Sequence, residues 1–169
     1  TRVRYVKGFD VNINDTTGFA AAVSAATGAA AVLFFGGLGT SQEGEGFDRV
    51  GGSIDLPGKQ QDLINRLAAV NPRIVVTLFS GGICGISRSV GNIRGLIYGF
   101  YPGQEVGNAV ADVIFGNYNP GGKLPVTMPA STSQLPAWND NLNDDYGGGY
   151  RWFNAQSLTP QFAFGFGLS

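Results

Sequence analysis

Histidine is absent from the 169-residue chain, and cysteine occurs once, as Cys84. Without histidine, Ser-His-Asp and Cys-His nucleophile systems and the usual zinc and iron sites are excluded, so any catalysis must use carboxylates, Tyr, Lys or Arg. One cysteine cannot form a disulfide within the chain, and its apolar neighbours predict a small buried side chain rather than a reactive thiol. Nothing in the sequence calls for a metal ion or an organic cofactor.

Charged residues are scarce as well, at 14% of the chain, against about 25% in average domains. Eleven basic and twelve acidic residues leave a net charge of −1, which argues against a nucleic-acid or anionic-membrane partner bound through charge. No apolar run approaches the ~20 residues of a membrane span. The hydrophobic content of 43% instead predicts one globular domain over residues 1–169.

Along the first two thirds of the chain, short continuous apolar runs, typical of buried strands, alternate with segments that have helical periodicity. Strands are expected at residues 3–9, 29–35, 74–79 and 93–98. Helices are expected at residues 19–26, with Thr16 or Thr17 as the cap, from Pro57 as a first-turn residue, and at residues 104–115. This order predicts an α/β fold with a doubly wound, mostly parallel sheet and helices on both faces. Residues 124–128 read as a short extended segment, and residues 131–149 as a long irregular surface loop.

Acidic side chains cluster in one glycine-rich loop, residues 36–49, here called the acidic loop. In an open α/β sheet, ligands bind beyond the carboxyl ends of the strands, where this loop lies. Glu43 and Glu45 could each act as a general acid if a bound ring desolvated the carboxyl. The alternative is a solvated loop in which Asp48 and Arg49 pair locally. A dinucleotide fingerprint fails, because the third glycine expected after Gly37 and Gly39 is Gln42.

Seven short motifs, in order over most of the chain, resemble the C-terminal α/β sandwich domain of glycoside hydrolase family 3, the β-glucosidases and β-xylosidases. They are EGEGFDR (43–49), LPGKQ (56–60), YPGQE (101–105), ADVIFG (111–116), NPGGKLPVT (119–127), GYRWF (149–153) and FGFGLS (164–169).

The resemblance implies that the acidic loop carries the general acid/base of a glycosidase. The best match of the Glu-Gly-aromatic-Asp-Arg pattern places it at Glu45, with Glu43 as the second candidate. Gly44, Arg49 and Trp138 are the substrate-binding candidates. The family's nucleophile is an aspartate on a preceding (β/α)8 barrel of about 250 residues. This chain then holds only one of the two carboxyls that a retaining mechanism needs.

Asp112 and Lys123 in these motifs are expected to be structural, as members of an ion pair. The chain is therefore expected to be an incomplete C-terminal part of a larger secreted enzyme of polysaccharide degradation, inactive alone. Its expected partner is the barrel part of the same precursor, or a second copy of itself. A glycosylation sequon at Asn14 is weak support for export. The alternative is a non-catalytic saccharide- or partner-binding protein, which would use exposed aromatic rings such as Trp138, Tyr146 and Trp152.

Overall fold

A computed structural model describes residues 2–11, 13–46, 49, 52–136 and 149–168. The chain forms two compact units, residues 1–101 and residues 102–169. In the first unit the elements are α1 (Phe19–Ala26), β1 (Val32–Gly37), α2 (Gln60–Val70), β2 (Ile74–Phe79) and β3 (Gly95–Tyr98). In the second unit the helices are α3 (Val106–Ile114) and α4 (Gly149–Ala155).

The sheet of the first unit is parallel, with strand order β1-β2-β3. Gly37 pairs with Phe79 and Leu78 pairs with Tyr98, so that the three strands end side by side at one edge. The predicted α/β fold with a mostly parallel sheet is confirmed. Because the carboxyl ends of all three strands meet at this edge, the loops that follow them are neighbours in space.

Helix α2 packs on the sheet and against α1, and its inward face is the predicted one. Leu63, Ile64 and Leu67 are all buried, at the i, i+1, i+4 spacing of one helix face. They join the fully buried Ile74 and Val76 of β2 in a single core. On β2 the side chains of one face are fully buried, whereas on the other face Thr77 is buried and Val75 and Phe79 are partly buried.

Residues 3–9 do not form the strand predicted for them. Val3 and Tyr5 are 75% and 84% exposed, and the segment makes no ladder with a described strand. Val and Tyr favour strands only when a neighbouring strand and a packed face are present. Of its hydrophobic side chains only Val6 and Phe9 pack against the core, so the segment does not join the sheet of the described strands.

Both predicted helix starts in the first unit are also corrected. The residue that caps α1 is Gly18, and the helix has no side-chain cap. Thr17 lies in the preceding turn, where its backbone N–H donates to the carboxylate of Asp15 at 2.9 Å. Helix α2 begins at Gln60, and Pro57 belongs to the preceding turn. Gly58 has a positive φ of +63° there, which is incompatible with a right-handed helical turn.

In the second unit the predicted extended segment pairs with the end of the chain. Leu124 and Met128 exchange backbone hydrogen bonds with residues 161–166, and an antiparallel bridge joins Met128 to Phe162. Helix α4 is not predicted by the sequence pattern, in which Gly149 ends the irregular loop of residues 131–149. Its Phe153 is buried, and it lies directly after residues 137–148, which are outside the described part of the chain.

Candidate functional site

The acidic loop leaves the sheet at Gly37, the last residue of β1. A buried side chain fixes this point: Gln60 of α2 donates to the carbonyl of Gly37 at 2.8 Å and accepts from its N–H at 2.9 Å. Gly37 has a φ of +138°, and a Cβ on it would lie 1.8 Å from the carbonyl oxygen of Phe79. Only glycine can therefore occupy this position, and the loop starts from a rigid support.

Gln42 fastens the next part of the loop. Its side-chain carbonyl accepts from the N–H of Gly39 at 2.8 Å, and its amide donates to the carbonyl of Val11 at 3.1 Å. The residue that broke the dinucleotide pattern therefore has a structural role. It holds the loop so that the following residue, Glu43, points back across the edge of the sheet.

Glu43 is bound by groups that follow the other two strands. The backbone N–H of Gly81 donates to Glu43 Oε1 at 2.5 Å, and that of Gly82 donates to Oε2 at 2.9 Å. The hydroxyl of Tyr101, three residues after β3, donates to Oε1. We call Gly81, Gly82 and Tyr101 the Glu43 clamp. Three strand ends thus converge on one carboxylate.

The protonation of Glu43 follows from this clamp. Partial burial pushes the pKa of its carboxyl up, but the hydrogen bonds from Tyr101, Gly81 and Gly82 and the positive charge of Arg49 outweigh it. The pKa therefore lies below its ordinary value, because all four groups favour the charged form. Glu43 is therefore held as a charged carboxylate.

Arg49 lies behind the clamp. Its Nη2 donates to the carbonyl of Ile83 at 2.7 Å, and a Cβ built on Gly82 would lie 3.3 Å from the same atom. The guanidinium is thus packed under the turn that binds Glu43. Its local pairing with Asp48, the alternative from the sequence, lies outside the described residues.

Glu43 and Glu45 differ in what surrounds them. Glu43 borders an open depression of about 530 Å³, here called the edge depression; its lining residues are Leu38, Gly39, Thr40, Glu43, Gly44 and Tyr101. Gly44, a predicted substrate-binding residue, therefore does lie beside Glu43. Glu45 is exposed and does not border this depression. The structure describes no hydrogen bond between its carboxylate and another described residue.

A buried polar network supports the Gly81–Gly82 turn from below. The hydroxyl of Tyr98 accepts from the N–H of Cys84 at 2.6 Å and contacts Ser80 Oγ at 2.8 Å and the carbonyl of Gly82 at 2.9 Å. Burial raises the pKa of Tyr98 far above its ordinary value, and the nearby Cys84 adds to this, so the phenol stays neutral. Cys84 is fully buried, as predicted, and burial raises the pKa of its thiol.

The remaining sequence candidates are not brought to this site. Trp138 and Tyr146 lie outside the described residues. Trp152 is half-buried, and its indole N–H donates to the carbonyl of Gln134 at 2.9 Å, which gives it a packing role. Asn14 is exposed, as a glycosylated residue must be.

The predicted ion pairing of Asp112 and Lys123 is not found with any described residue. The carboxylate of Asp112 accepts instead from the side-chain amide of Asn117 at 3.1 Å. Within the described part of the chain, no group of three or more acidic or cysteine side chains could hold a metal ion. Among the same residues, no helix has the length and apolar character needed to cross a membrane.

Sequence reasoning missed Gly81, Gly82 and Tyr101 as parts of the site. The available signal was topological: the segment after β2 and the segment after β3 end at the same edge as the acidic loop. In the sequence, Tyr101 stands out only as the first residue of the YPGQE motif, residues 101–105. The residues that follow all three strands, and not only the acidic loop, are therefore candidates for such a site.

The profile of the glycosyl hydrolase family 3 C-terminal domain matches residues 2–169. The chain belongs to glycosyl hydrolase family 3. It is 36% identical to a beta-xylosidase of Formosa agariphila over 168 residues, which are 99% of this chain and 23% of that protein. It is 39% identical over 173 residues to a probable exo-1,4-beta-xylosidase of Neosartorya fischeri, covering 98% of this chain and 22% of that protein.

A solved family 3 structure has the same fold. The crystal structure of a beta-glucosidase of Bifidobacterium adolescentis superposes with a TM-score of 0.80 at 37% identity, over 91% of this chain and 24% of that protein. The family 3 chain therefore spans less than a quarter of the length of each of these relatives. In each of them, this domain is one part of a much larger polypeptide.

Proposed function

We propose that this chain is the acid/base-bearing part of a retaining β-glycosidase that hydrolyses terminal β-linked glucose or xylose. Membership of family 3 and the names of the relatives, beta-xylosidase and beta-glucosidase, support this class of substrate. The observation that carries the proposal is Glu43, a carboxylate that borders a depression at the carboxyl ends of three parallel strands. This is where α/β sheets bind their ligands.

In the proposed reaction the carboxyl first protonates the glycosidic oxygen as that bond breaks, and then, as a carboxylate, takes a proton from the water that attacks the glycosyl intermediate. A retaining enzyme needs its nucleophile about 5 to 5.5 Å from this group. In family 3 that nucleophile is expected on the barrel, so we propose the barrel part of the same precursor as partner, with self-association as the alternative. An extracellular location, with glycosylation at Asn14, belongs to the same proposal.

Of the two acidic candidates, the geometry favours Glu43, although the sequence pattern ranked Glu45 first. A general acid must be held in one orientation toward the bond it cleaves, and Glu43 is held at three points. Its lowered pKa keeps the carboxyl ionised, which is the state in which the base step begins, but also makes it a weaker base. Protonation for the acid step requires substrate and barrel to cover the depression, because removing water favours the neutral carboxyl. Exposed Glu45 remains the competing assignment.

The test uses a reconstituted enzyme, in which this chain replaces the matching segment of the Formosa agariphila beta-xylosidase. Glu43→Gln should lower kcat by roughly 10² to 10⁴, the usual effect of losing a general acid. Aryl glycosides with activated leaving groups should lose much less in the glycosylation step, since they need no protonation. Glu45→Gln is the matched control. If Glu45→Gln gives this pattern and Glu43→Gln does not, the assignment reverses.

The isolated 169-residue chain should not hydrolyse aryl β-glucosides or β-xylosides, because it lacks the proposed second carboxyl. Turnover by a homogeneous sample that is abolished by Glu43→Gln or Glu45→Gln would overturn this part of the proposal.

A further inference from the structure

Tyr101 is the one side chain among the described residues that donates a hydrogen bond to Glu43; the other two donors of the clamp are backbone amides. Backbone donors follow from the path of the chain and need no side-chain functional group at positions 81 and 82, which are both glycine. The tyrosine hydroxyl, in contrast, exists only because of the residue type at position 101. It is therefore the one donor of the clamp that a substitution can remove without changing the path of the backbone.

The chain is bent to bring Tyr101 to this place. After β3, Phe100 adopts a left-handed φ of +51°, a conformation that non-glycine residues rarely adopt and that is typically found at functional sites. The carbonyl of Phe100 accepts from the N–H of Ser80 at 3.2 Å, which fixes the bend. The ring of Tyr101 then lies against Gly81, where an added Cβ would come within 3.0 Å of Tyr101 Cε2.

Burial does not explain the hydrogen bond of Tyr101. The hydroxyl of Tyr98 is buried and must find partners within the protein, which it does at Ser80, Gly82 and Cys84. Tyr101 is 59% exposed, so water could satisfy its hydroxyl equally well. A solvent-exposed ring that nevertheless directs its hydroxyl at a carboxylate bordering the edge depression points to a role at that carboxylate.

We propose that Tyr101 is a positioning residue for Glu43, which fixes the orientation of the carboxyl toward a sugar in the edge depression and stabilises its charged form. The catalytic meaning of this inference rests on the proposed function of Glu43. Besides Tyr101, the titratable and charged groups that face Glu43 are the guanidinium of Arg49 and the buried thiol of Cys84. Neither lies in the edge depression, so Tyr101 is the group that can be altered without disturbing the core.

The first experiment measures the pKa of Glu43 by NMR in the 169-residue chain labelled with ¹³C at glutamate side-chain carboxyls. Tyr101→Phe keeps the ring and removes the hydroxyl. Because a donor to the charged form is lost, the pKa of Glu43 should rise. Tyr5→Phe, at a position 84% exposed, is the matched control and should leave the titration unchanged. An unaltered Glu43 pKa in Tyr101→Phe would overturn the proposal.

A reciprocal measurement keeps the proposal falsifiable if Tyr101→Phe disturbs the fold. Partial burial raises the pKa of the Tyr101 phenol, and the hydrogen bond to Glu43 and its negative charge raise it further. Glu43→Gln should therefore lower the pKa of Tyr101, followed by NMR with ¹³C-labelled tyrosine, while Glu45→Gln should not. Equal Tyr101 titrations in wild type and Glu43→Gln would count against a direct contact.

Activity of the reconstituted enzyme separates this inference from the proposed function. If both are correct, Tyr101→Phe should lower kcat more than it changes KM. The alkaline limb of the kcat/KM pH profile, which reports the protonated Glu43 that glycosylation needs, should move upward in step with the NMR titration. A Glu43 pKa that rises while the pH profile stays fixed supports the contact but overturns Glu43 as the acid/base. A pH profile that moves without any change in the Glu43 pKa overturns the positioning role.

Discussion

Helices α2 and α3 belong to different units of the chain and differ in how deeply they are buried. α2 is the more polar in sequence, yet five of its residues are buried, including Gln60 and Gln61. α3 has mainly Val, Ala and Ile on its apolar face, yet none of its residues is fully buried. Burial in this protein is therefore determined by position in the fold rather than by apolar content. The deeply packed helix is also the one that supports the candidate site, through Gln60 and Gly37.

The largest effect on stability is expected from Gly37→Ala, at the residue where the acidic loop leaves β1. The added Cβ would lie 1.8 Å from the carbonyl oxygen of Phe79, and backbone atoms cannot move aside cheaply. We expect a loss of about 4 kcal/mol or more in the free energy of unfolding, or no folded protein. Urea denaturation followed by circular dichroism measures it.

Gly46→Ala provides the control, since Gly46 also has a positive φ, +84°, but open space around it. The free energy of unfolding should fall there only by the strain of a left-handed alanine, roughly 1–2 kcal/mol. Equal losses for the two variants would mean that the crowding at Gly37 contributes nothing.

Truncating one apolar side chain in each helix tests the difference in burial between α2 and α3. Ile64 is 0% exposed, so Ile64→Ala should reduce the free energy of unfolding by about 2–5 kcal/mol. Val110 lies on the apolar face of α3 and is only half-buried, so Val110→Ala should lose less than about 1 kcal/mol. The measurement is again denaturant unfolding. If Val110→Ala were the more damaging, the second unit would contain a core that the burial pattern does not reveal.

Much of the fold could be predicted from the sequence because periodicity reports burial directly. The bounds of α1 and β2 agree with the predicted residues, and the inward face of α2 was identified from Leu63, Ile64 and Leu67. The strand predicted at residues 3–9 failed for the opposite reason. Whether an extended segment is paired depends on a neighbouring strand, and local sequence contains no information about that neighbour.

The candidate site was predictable only in part. The glycines and carboxylates of the sequence are enough to identify the acidic loop. Glu43 and Glu45, however, are the same residue type only two positions apart, so the sequence pattern does not distinguish them. What distinguishes them is contact with Gly81 and Tyr101, which are 38 and 58 positions away from Glu43 in the chain. Those contacts arise from the parallel register of the strands. A ranking of the pair therefore required the fold.

The smallest effect, on pH dependence, tests whether that clamp stabilises the first unit. The pKa of Glu43 lies below its ordinary value of 4.5, so the charged form binds the clamp more favourably than the neutral form. The resulting stability is fully present above pH 4.5 and is lost as the pH falls through the lowered pKa. Because the carboxylate is largely accessible to solvent, screening limits the contribution to below about 1 kcal/mol.

Glu43→Gln isolates this contribution from other carboxylates of the unit, since Asp62 also has a lowered pKa: burial raises it, but Lys59 and Arg88 outweigh burial. The variant should be less stable than wild type at neutral pH, and the difference should shrink as acid protonates Glu43, because a protonated glutamate and a glutamine are both uncharged. Urea unfolding at a series of pH values above and below 4.5 measures the difference, with Glu45→Gln as control. A difference that does not change with pH would show that the charge of Glu43 contributes nothing to the clamp.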